Sequence, residues 1–496
     1  MSDIVMFTGT YVDGKTLYKS AGPYRIATEA RNLGFECQII AYLQAFSKEQ
    51  IHQIIDKFVN ADTKIVCFST TLWSGPWVNE VSEKVAGIIN YVRRCYPKIE
   101  IIFGGTSTAS FINNYDGDVY FTGYGEHYFI PYLTALRDKT ELPAPTRVKD
   151  KKRIYDWKET TDTFSFINSQ IIYNKSDLIN YGDNITIEVA RGCIFKCKFC
   201  NYPLTGKKKL DHLKEIEVLR EELIRNYEQW GVTDYIFSDD TFNDSTYKLE
   251  LLNDLFQTLP FKLRFSSYLR HDLIYRFPEQ VTLLKDMGLK GANFGIETFH
   301  NQAAKLIGKG MDTDKAKELM YSLKDTWGDD VTMTTGIITG IPYEDYDSYQ
   351  RTMDFMSDPN CPFESFTLNA LGLERPDVYS LHYYSTFQLE AEKYGFSWPN
   401  PKNSNHWSSS IGPVKNYAEA QEVAKQMTQV CLDAGRLYFG GFSDMSLKNI
   451  AHYTKHKTIE NWMAVPRKER IKTIGHDVRS AHVTLVQDYY SKLINL

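Results

Sequence analysis

Three cysteines crowd the run Arg191-Gly192-Cys193-Ile194-Phe195-Lys196-Cys197-Lys198-Phe199-Cys200-Asn201. The chain has eight cysteines in 496 residues. At that density a C-x3-C-x2-C triplet arises by chance roughly 0.002 times. Thiolates bind soft and borderline metals. A structural zinc site closes a tetrahedron with four ligands, and an ordinary iron–sulfur cluster also takes four protein ligands. No second cysteine pair lies nearby, and the nearest histidine, His212, is separated by a lysine-rich loop. Three thiolates leave one metal corner free for a substrate or cofactor, which points to catalysis. A zinc centre and a simple electron carrier are the competing readings.

Further chemistry-bearing residues recur after strand-like segments. Asp239 and Asp240 stand in Ser238-Asp239-Asp240-Thr241-Phe242, and Arg270 ends Tyr268-Leu269-Arg270. Glu297 lies in Phe294-Gly295-Ile296-Glu297-Thr298, followed by Gly308-Lys309-Gly310. Gly336, Ile338 and Gly340 punctuate Gly336-Ile337-Ile338-Thr339-Gly340-Ile341-Pro342-Tyr343-Glu344. Each has a bland reading as well. Paired aspartates cap helices, an arginine sits at the surface, Lys309 can balance a helix end, and glycines relieve tight βα turns.

The elements that must position these groups alternate strand and helix patterns. Strands are expected at Ile4–Phe7, Cys37–Tyr42, Lys64–Thr70, Ile99–Gly104 and Asp118–Thr122, with helices between them, the pattern of a doubly wound parallel α/β sheet. Small residues close several of these strands: Thr8, Ser69 and Thr70, Gly104 and Gly105, and Gly123, Gly125 and Glu126. Four such ends in one sheet suggest a ligand-binding edge, with Trp73 and Trp77 just past the third strand. A second series starts at Ile185–Ala190 and continues through Asp234–Ser238, Leu263–Tyr268, Ala292–Glu297, Met333–Thr339 and Ser365–Leu371. Six βα units fit a partial (β/α)6 barrel, whose chemistry sits at the strand carboxyl ends. The domain boundaries read as 1–140 for the first α/β domain, 141–184 for a linker and connecting segment, 185–375 for the barrel, and 376–496 for a mostly helical C-terminal domain.

Hydrophobic residues are 43%, charged residues 24% and the net charge −5. A membrane span of about 20 apolar residues is missing, and no electrostatic pull toward nucleic acid is written in the composition. No secretion signal precedes Ile4, and five cysteines are scattered without a disulfide framework. Cytoplasmic location is therefore expected. Cys37 and Cys67 read as buried small hydrophobes.

The triplet, its place after the first barrel strand, and the ordered motifs across residues 185–372 resemble the radical S-adenosylmethionine (SAM) superfamily. The resemblance implies a [4Fe–4S] cluster held by Cys193, Cys197 and Cys200, SAM chelated at the open iron, cleavage to a 5′-deoxyadenosyl radical, and an external flavodoxin- or ferredoxin-like electron donor. It assigns SAM contacts to Phe199, Asp240, Arg270, Glu297, Gly336, Ile338 and Gly340, with Asn369 and Leu371 as weaker candidates. Lys309 matches the family's lysine–glycine pair. The preceding α/β domain resembles that of the cobalamin-binding subclass, many of whose members are methyltransferases. Candidate cobalamin contacts are Thr8, Ser69, Thr70, Trp73, Gly104, Gly105, Gly123, Gly125 and Glu126. One departure stands out: Thr10-Tyr11-Val12-Asp13-Gly14-Lys15 has no D-x-H-x-x-G motif, so no histidine from that loop can reach cobalt. The leading expectation is a cobalamin-dependent methyltransferase at an unactivated carbon. Rearrangement, cyclisation or epimerisation without cobalamin is the second reading, and a metal-stabilised binding protein without turnover is the third. Whether the substrate is a small molecule or a peptide is left open.

Overall fold

Strands buried on both faces must be apolar at consecutive positions, and Ile4-Val5-Met6-Phe7 and Ile65-Val66-Cys67-Phe68 meet that condition. In the computed structural model they belong to β1 (Ile4–Thr8) and β3 (Ile65–Ser69), within a set completed by β2 (Cys37–Ile40), β4 (Glu100–Gly105), β5 (Val119–Thr122), β6 (Arg147–Lys149) and β7 (Lys152–Asp156). The structure describes residues 2–9, 19–71, 77–157, 164–202, 204, 213–376, 383–399, 406–436, 449, 453–458, 461 and 464–496.

The first sheet runs in the order β2-β1-β3-β4-β5-β7-β6. Its pairs are parallel except β6 with β7. Strand order reverses between β1 and β3, which makes the crevice beyond their carboxyl ends the topological switch point where such sheets bind ligands. Residues 10–18 and 72–76, next in sequence after β1 and β3, lie outside the described residues, Trp73 among them. Helices α1 (Ala21–Asn32), α2 (Lys48–Phe58), α3 (Trp77–Cys95) and α4 (Glu126–Asp138) connect the strands. In α2, Ile51, Ile54, Ile55 and Phe58 are buried at helical spacing. A reciprocal Ser47–Gln50 cap starts it.

The second sheet comprises β8 (Ile185–Glu188), β9 (Asp234–Ser238), β10 (Arg264–Leu269), β11 (Leu289–Glu297), β12 (Thr332–Thr339) and β13 (Ser365–Ala370), side by side in sequence order. The helices that follow are α5 (Ile216–Trp230), α6 (Thr246–Gln257), α7 (His271–Arg276), α8 (Gln280–Asp286), α9 (Asn301–Ile307), α10 (Thr313–Trp327), α11 (Tyr346–Ser357), α12 (Thr386–Leu389), α13 (Tyr417–Asp433) and α14 (Arg467–Ile494). Phe237 of β9 stacks on Phe265 of β10 at 4.5 Å, and both meet Phe256 of α6. Odd-numbered positions there therefore face the helices. Alternation turns Ser238 and Tyr268 to the other side, where both are exposed. At the far edge, α13 lies against β13 and β12, and Thr339 Oγ1 donates to the Ala420 carbonyl at 2.7 Å.

The chain divides into two compact units: Met1–Thr186 with Gln229–Gly231 and Val478–Leu496, and Ile187–Glu228 with Val232–Asp477. Two sequence expectations change. The presumed linker contributes β6 and β7, because Ile154 and Tyr155 are buried in the first sheet. Residues 376–496 are shared between the units rather than standing alone. Their last stretch joins the first unit through Tyr489, whose hydroxyl accepts from Ala41 N at 3.0 Å and whose ring meets Tyr42 edge-on at 5.0 Å.

Candidate active site

The cysteine loop leaves the β8 end through Gly192, whose φ of +130° favours glycine. Its backbone is tied down at several points. Cys193 N donates to Leu204 O at 2.8 Å, Lys198 N to Ile307 O at 3.2 Å, and Phe387 N to Lys198 O at 3.0 Å. The three thiols are partly exposed, and each sulfur has a polar neighbour. Phe195 N donates to Cys193 Sγ at 3.4 Å, with Thr241 Oγ1 3.3 Å away. Tyr202 N donates to Cys200 Sγ at 3.5 Å. Arg270 Nη1 donates to Cys197 Sγ at 3.4 Å.

Burial raises the Cys193 thiol and pushes Cys200 up to about 11. A bound metal would deprotonate them outright. Among the described residues, no three Cys, His, Asp or Glu side chains converge closely enough to hold a single metal ion. A cluster bound through three separate irons requires wider spacing than one zinc ion, which holds its sulfurs at about 2.3 Å. The donor set, with N–H and hydroxyl groups aimed at sulfur, fits an iron–sulfur cluster.

Beyond β9 the two aspartates divide their duties. Asp239 is buried and pairs with Lys248 Nζ at 2.7 Å, which also reaches Asp244 at 3.1 Å. Lys248 is itself fully buried, so this network fixes the loop from beneath. Asp240 keeps its side chain exposed, although most of its surroundings are protein. Desolvation, with the Asp239 carboxylate beside it, pushes Asp240 up to about 6, against hydrogen bonds from Tyr202 and the Gly192 N–H. Asp240 thus stands directly beside the cysteine loop.

Arg270 is more deeply engaged than a free SAM-facing arginine. Its guanidinium makes a bidentate pair with Asp272 at 2.7 and 2.9 Å, donates to Gly308 O at 3.0 Å, and stacks over Phe195 at 3.9 Å. Asn243 clamps its backbone on both sides, at 2.8 and 2.9 Å. Next to it, burial drives His271 down to about 4, which keeps the imidazole neutral.

At the end of β11 the register with β12 shifts between Phe294 and Glu297, a bulge that re-aims a side chain. Glu297 adopts φ +72°. Its carboxylate lies 3.7 Å from Lys309 Nζ. A Cβ on Gly295 would stand 2.8 Å from that carboxylate and 2.9 Å from the ammonium, so glycine makes room for the pair. A Cβ on Gly336 would meet the same carboxylate at 3.4 Å. Gly336, Ile338 and Glu297 therefore share one rim. Gly340 turns at φ +88°, where a Cβ would meet Trp407 at 2.8 Å. Phe199 is half-buried within the cysteine loop and Asn369 is exposed on β13. Leu371 is buried, and its carbonyl accepts from Trp407 Nε1 at 2.7 Å. Sequence reasoning missed the roles of Thr241, Lys248 and Asp272, which arise from contacts that only the fold brings together.

In the first unit, the small residues at the strand ends gather as expected of one sheet edge. Thr70 N and Oγ1 both donate to Gly104 O, at 2.8 and 3.1 Å, and Thr70 Oγ1 lies 2.9 Å from Thr108 Oγ1. Gly105 has φ +122°, and a Cβ there would stand 2.6 Å from Thr71 Oγ1. Thr8 is buried and Ser69 partly so at the ends of β1 and β3. Gly123 has φ +75°, and Gly125 leads into α4, whose first residue, Glu126, is buried.

Residues 187–356 match the Radical SAM superfamily. A curated relative, the ribosomal protein uS12 methylthiotransferase RimO of Thermosipho melanesiensis, is 23% identical over 200 residues, 38% of this chain and 44% of that protein. The match thus spans less than half of its length. The methyltransferase TsrM of Kitasatospora setae, solved with cobalamin and a [4Fe–4S] cluster, superposes with a TM-score of 0.64 at 15% identity, over 96% of this chain and 99% of that one. OxsB, a cobalamin-dependent radical SAM enzyme solved with aqua-cobalamin, gives 0.61 at 13% identity, over 95% of this chain and 72% of that one. Residues 187–356 are a radical SAM domain, and the chain is similar in fold to TsrM and OxsB.

Proposed function

We propose that this protein is a radical SAM enzyme that holds a [4Fe–4S] cluster through Cys193, Cys197 and Cys200 and acts as a cobalamin-dependent methyltransferase at an unactivated carbon. The observation that carries the reading is the cysteine loop. Three partly exposed thiols, each with a polar neighbour at its sulfur, sit on a loop pinned beside strand ends that carry Asp240, Arg270 and Glu297. When bound, the cluster supplies an electron to SAM, and cobalamin supplies a methyl carrier.

The chain's own residues prepare that chemistry. Asp240, exposed beside the loop, offers a carboxylate to the SAM ammonium. Arg270 places a fixed positive charge against Cys197 and is a cluster neighbour rather than a SAM ligand. Glu297, aimed by its bulge, offers hydrogen-bond acceptors to ribose hydroxyls. Gly336, Ile338 and Gly340 leave a flat backbone surface for adenine, and Phe199 adds an aromatic wall. In the first unit, Thr8, Ser69, Thr70, Gly104, Gly105, Gly123, Gly125 and Glu126 form the edge proposed to receive the corrinoid. An external flavodoxin- or ferredoxin-like protein is the proposed electron donor.

Anaerobic reconstitution with iron and sulfide tests the reading. An absorbance band near ~400 nm should appear, with SAM-dependent release of 5′-deoxyadenosine, and both should vanish in Cys193→Ala, Cys197→Ala and Cys200→Ala. Retention of iron and turnover in any of the three would overturn it. Adding cobalamin and measuring the fraction retained after desalting separates the corrinoid-dependent reaction from a radical reaction without it.

A further inference from the structure

Cys197 stands between two lysines, Lys196 and Lys198. Lys196 is exposed, Lys198 is partly so, and so is the thiol between them. The cysteine loop therefore comes to the surface here. Two elements frame the place. Lys198 N donates to Ile307 O at 3.2 Å, which sets the loop against the end of α9, and Phe387 N donates to Lys198 O at 3.0 Å, which adds α12. Arg270 ties the same corner, since it stacks over Phe195, donates to Gly308 O and touches Cys197 Sγ.

The framing elements extend this surface. Lys305, in the last turn of α9, is exposed. Leu389, the last residue of α12, is 68% exposed. None of Lys196, Lys198 and Lys305 has an ion-pair partner among the described residues. Two acidic residues follow Leu389. Glu392 is exposed, and Glu390 is engaged by Lys393 Nζ at 2.6 Å. Lys393, with Lys198 as a lesser contributor, holds the Glu390 carboxyl below its usual range. Four lysines thus stand against two glutamates, a local excess of positive charge in a chain whose net charge is −5. An exposed apolar side chain ringed by charge is the anatomy of a small protein–protein contact, and weak redox encounters use small contacts.

We propose that this corner is the docking surface of the electron donor, and that the donor is an acidic one-electron carrier protein. Electron transfer slows steeply with distance, so the carrier must approach where the loop reaches solvent. One electron leaves the carrier's reduced flavin or iron–sulfur centre and enters the cluster. The carrier is oxidised, the cluster is reduced, and no bond or proton changes hands. This rests on the reading of the triplet as a [4Fe–4S] site.

Stopped-flow reduction of the anaerobically reconstituted enzyme tests the surface. The donors are reduced flavodoxin, reduced [2Fe–2S] ferredoxin, and photoreduced 5-deazalumiflavin, a small uncharged reductant that needs no docking surface. At low salt the triple variant Lys196→Glu/Lys198→Glu/Lys305→Glu should be reduced by the carrier proteins about tenfold more slowly than wild type. Its Kd for oxidised flavodoxin, measured by calorimetry, should rise about tenfold or more. The deazaflavin rate should not change, and the difference with flavodoxin should shrink to within about twofold at ~0.5 M salt. Leu389→Ser alters no charge and should raise the flavodoxin Kd about threefold or more at either salt concentration.

Lys305→Glu and Leu389→Ser lie outside the cysteine loop and carry the test if the loop variants lose iron. Unchanged flavodoxin rates and Kd in these variants would overturn the proposal. Equal slowing with deazaflavin would also overturn it, since that marks an altered cluster instead of a lost surface. A wild-type cluster that accepts electrons from deazaflavin but from neither carrier protein has the same consequence. Wild type that takes up no cluster would sink the underlying reading instead.

Discussion

Arg270 shows how a side chain can serve a neighbour instead of a ligand. Its guanidinium makes four hydrogen bonds, two to Asp272, one to Gly308 O and one to Cys197 Sγ, so its charge acts on the sulfur it touches. Replacing it with methionine removes that positive charge and leaves Asp272 unbalanced. Both effects favour the oxidised cluster, so the midpoint potential should fall, while iron content stays near wild type. A redox titration followed by EPR checks this, and an unchanged or higher potential would refute it. Lys19 in the first unit offers a second test. It is buried, with Nζ 3.0 Å from Asp177 O. Burial lowers it to about 8 against the pull of Asp183 and Asp177. An unfolded lysine titrates near 10.4, so between about pH 8 and pH 10 the unfolded chain binds the extra proton. Stability from this group therefore rises with pH across that window. The slope of Tm against pH from 8 to 10 should be more positive in wild type than in Lys19→Met, and equal slopes would remove the argument.

The strand ends repeat one device, a small residue where a larger one would collide. Gly105 closes β4 at φ +122°, and a Cβ there would stand 2.6 Å from Thr71 Oγ1 and 3.0 Å from Thr71 N. Gly105→Ala should cost about 2 kcal/mol or more in stability and lower the corrinoid retained after desalting, with the iron content unaffected. Full retention of corrinoid would separate this turn from the cofactor edge. The elements themselves were largely legible in the sequence. Runs such as Ile4–Phe7 and Ile65–Phe68 are apolar and followed by small or turn residues, and they became strands within about two residues of expectation. Cys37 and Cys67 are buried, as their apolar runs implied, with Cys37 pushed up to about 12. The short pair β6 and β7 escaped notice because Arg147-Val148-Lys149 and Lys152-Arg153 carry the charges of an exposed edge. Likewise, Asp240 was visible beside the triplet. The division of labour with Asp239 was not, because it depends on Lys248 arriving from α6.

At the scale of the molecule, the boundary between units cuts across the sequence. Val478–Leu496 is counted with the first unit, where Tyr489 is buried against Tyr42 and Phe46. No sequence pattern announced this, since the helical character expected of residues 376–496 does not say against what a given helix packs. Tyr489→Ala should destabilise the first unit by about 3 kcal/mol or more, a large aromatic truncation, and lower corrinoid retention. Cluster content should hold. Calorimetry alongside iron analysis distinguishes the two, and a loss of iron equal to the loss of corrinoid would contradict the assignment.

That same terminal stretch sets an order of assembly. A sheet begun by residues 4–8 acquires the cover over Ala41 and Tyr42 only when residues near 489 have left the ribosome, more than four hundred positions later. Contacts of such sequence separation form late. The early sheet must therefore wait, with its Ala41–Tyr42 end uncovered, through synthesis of the entire barrel.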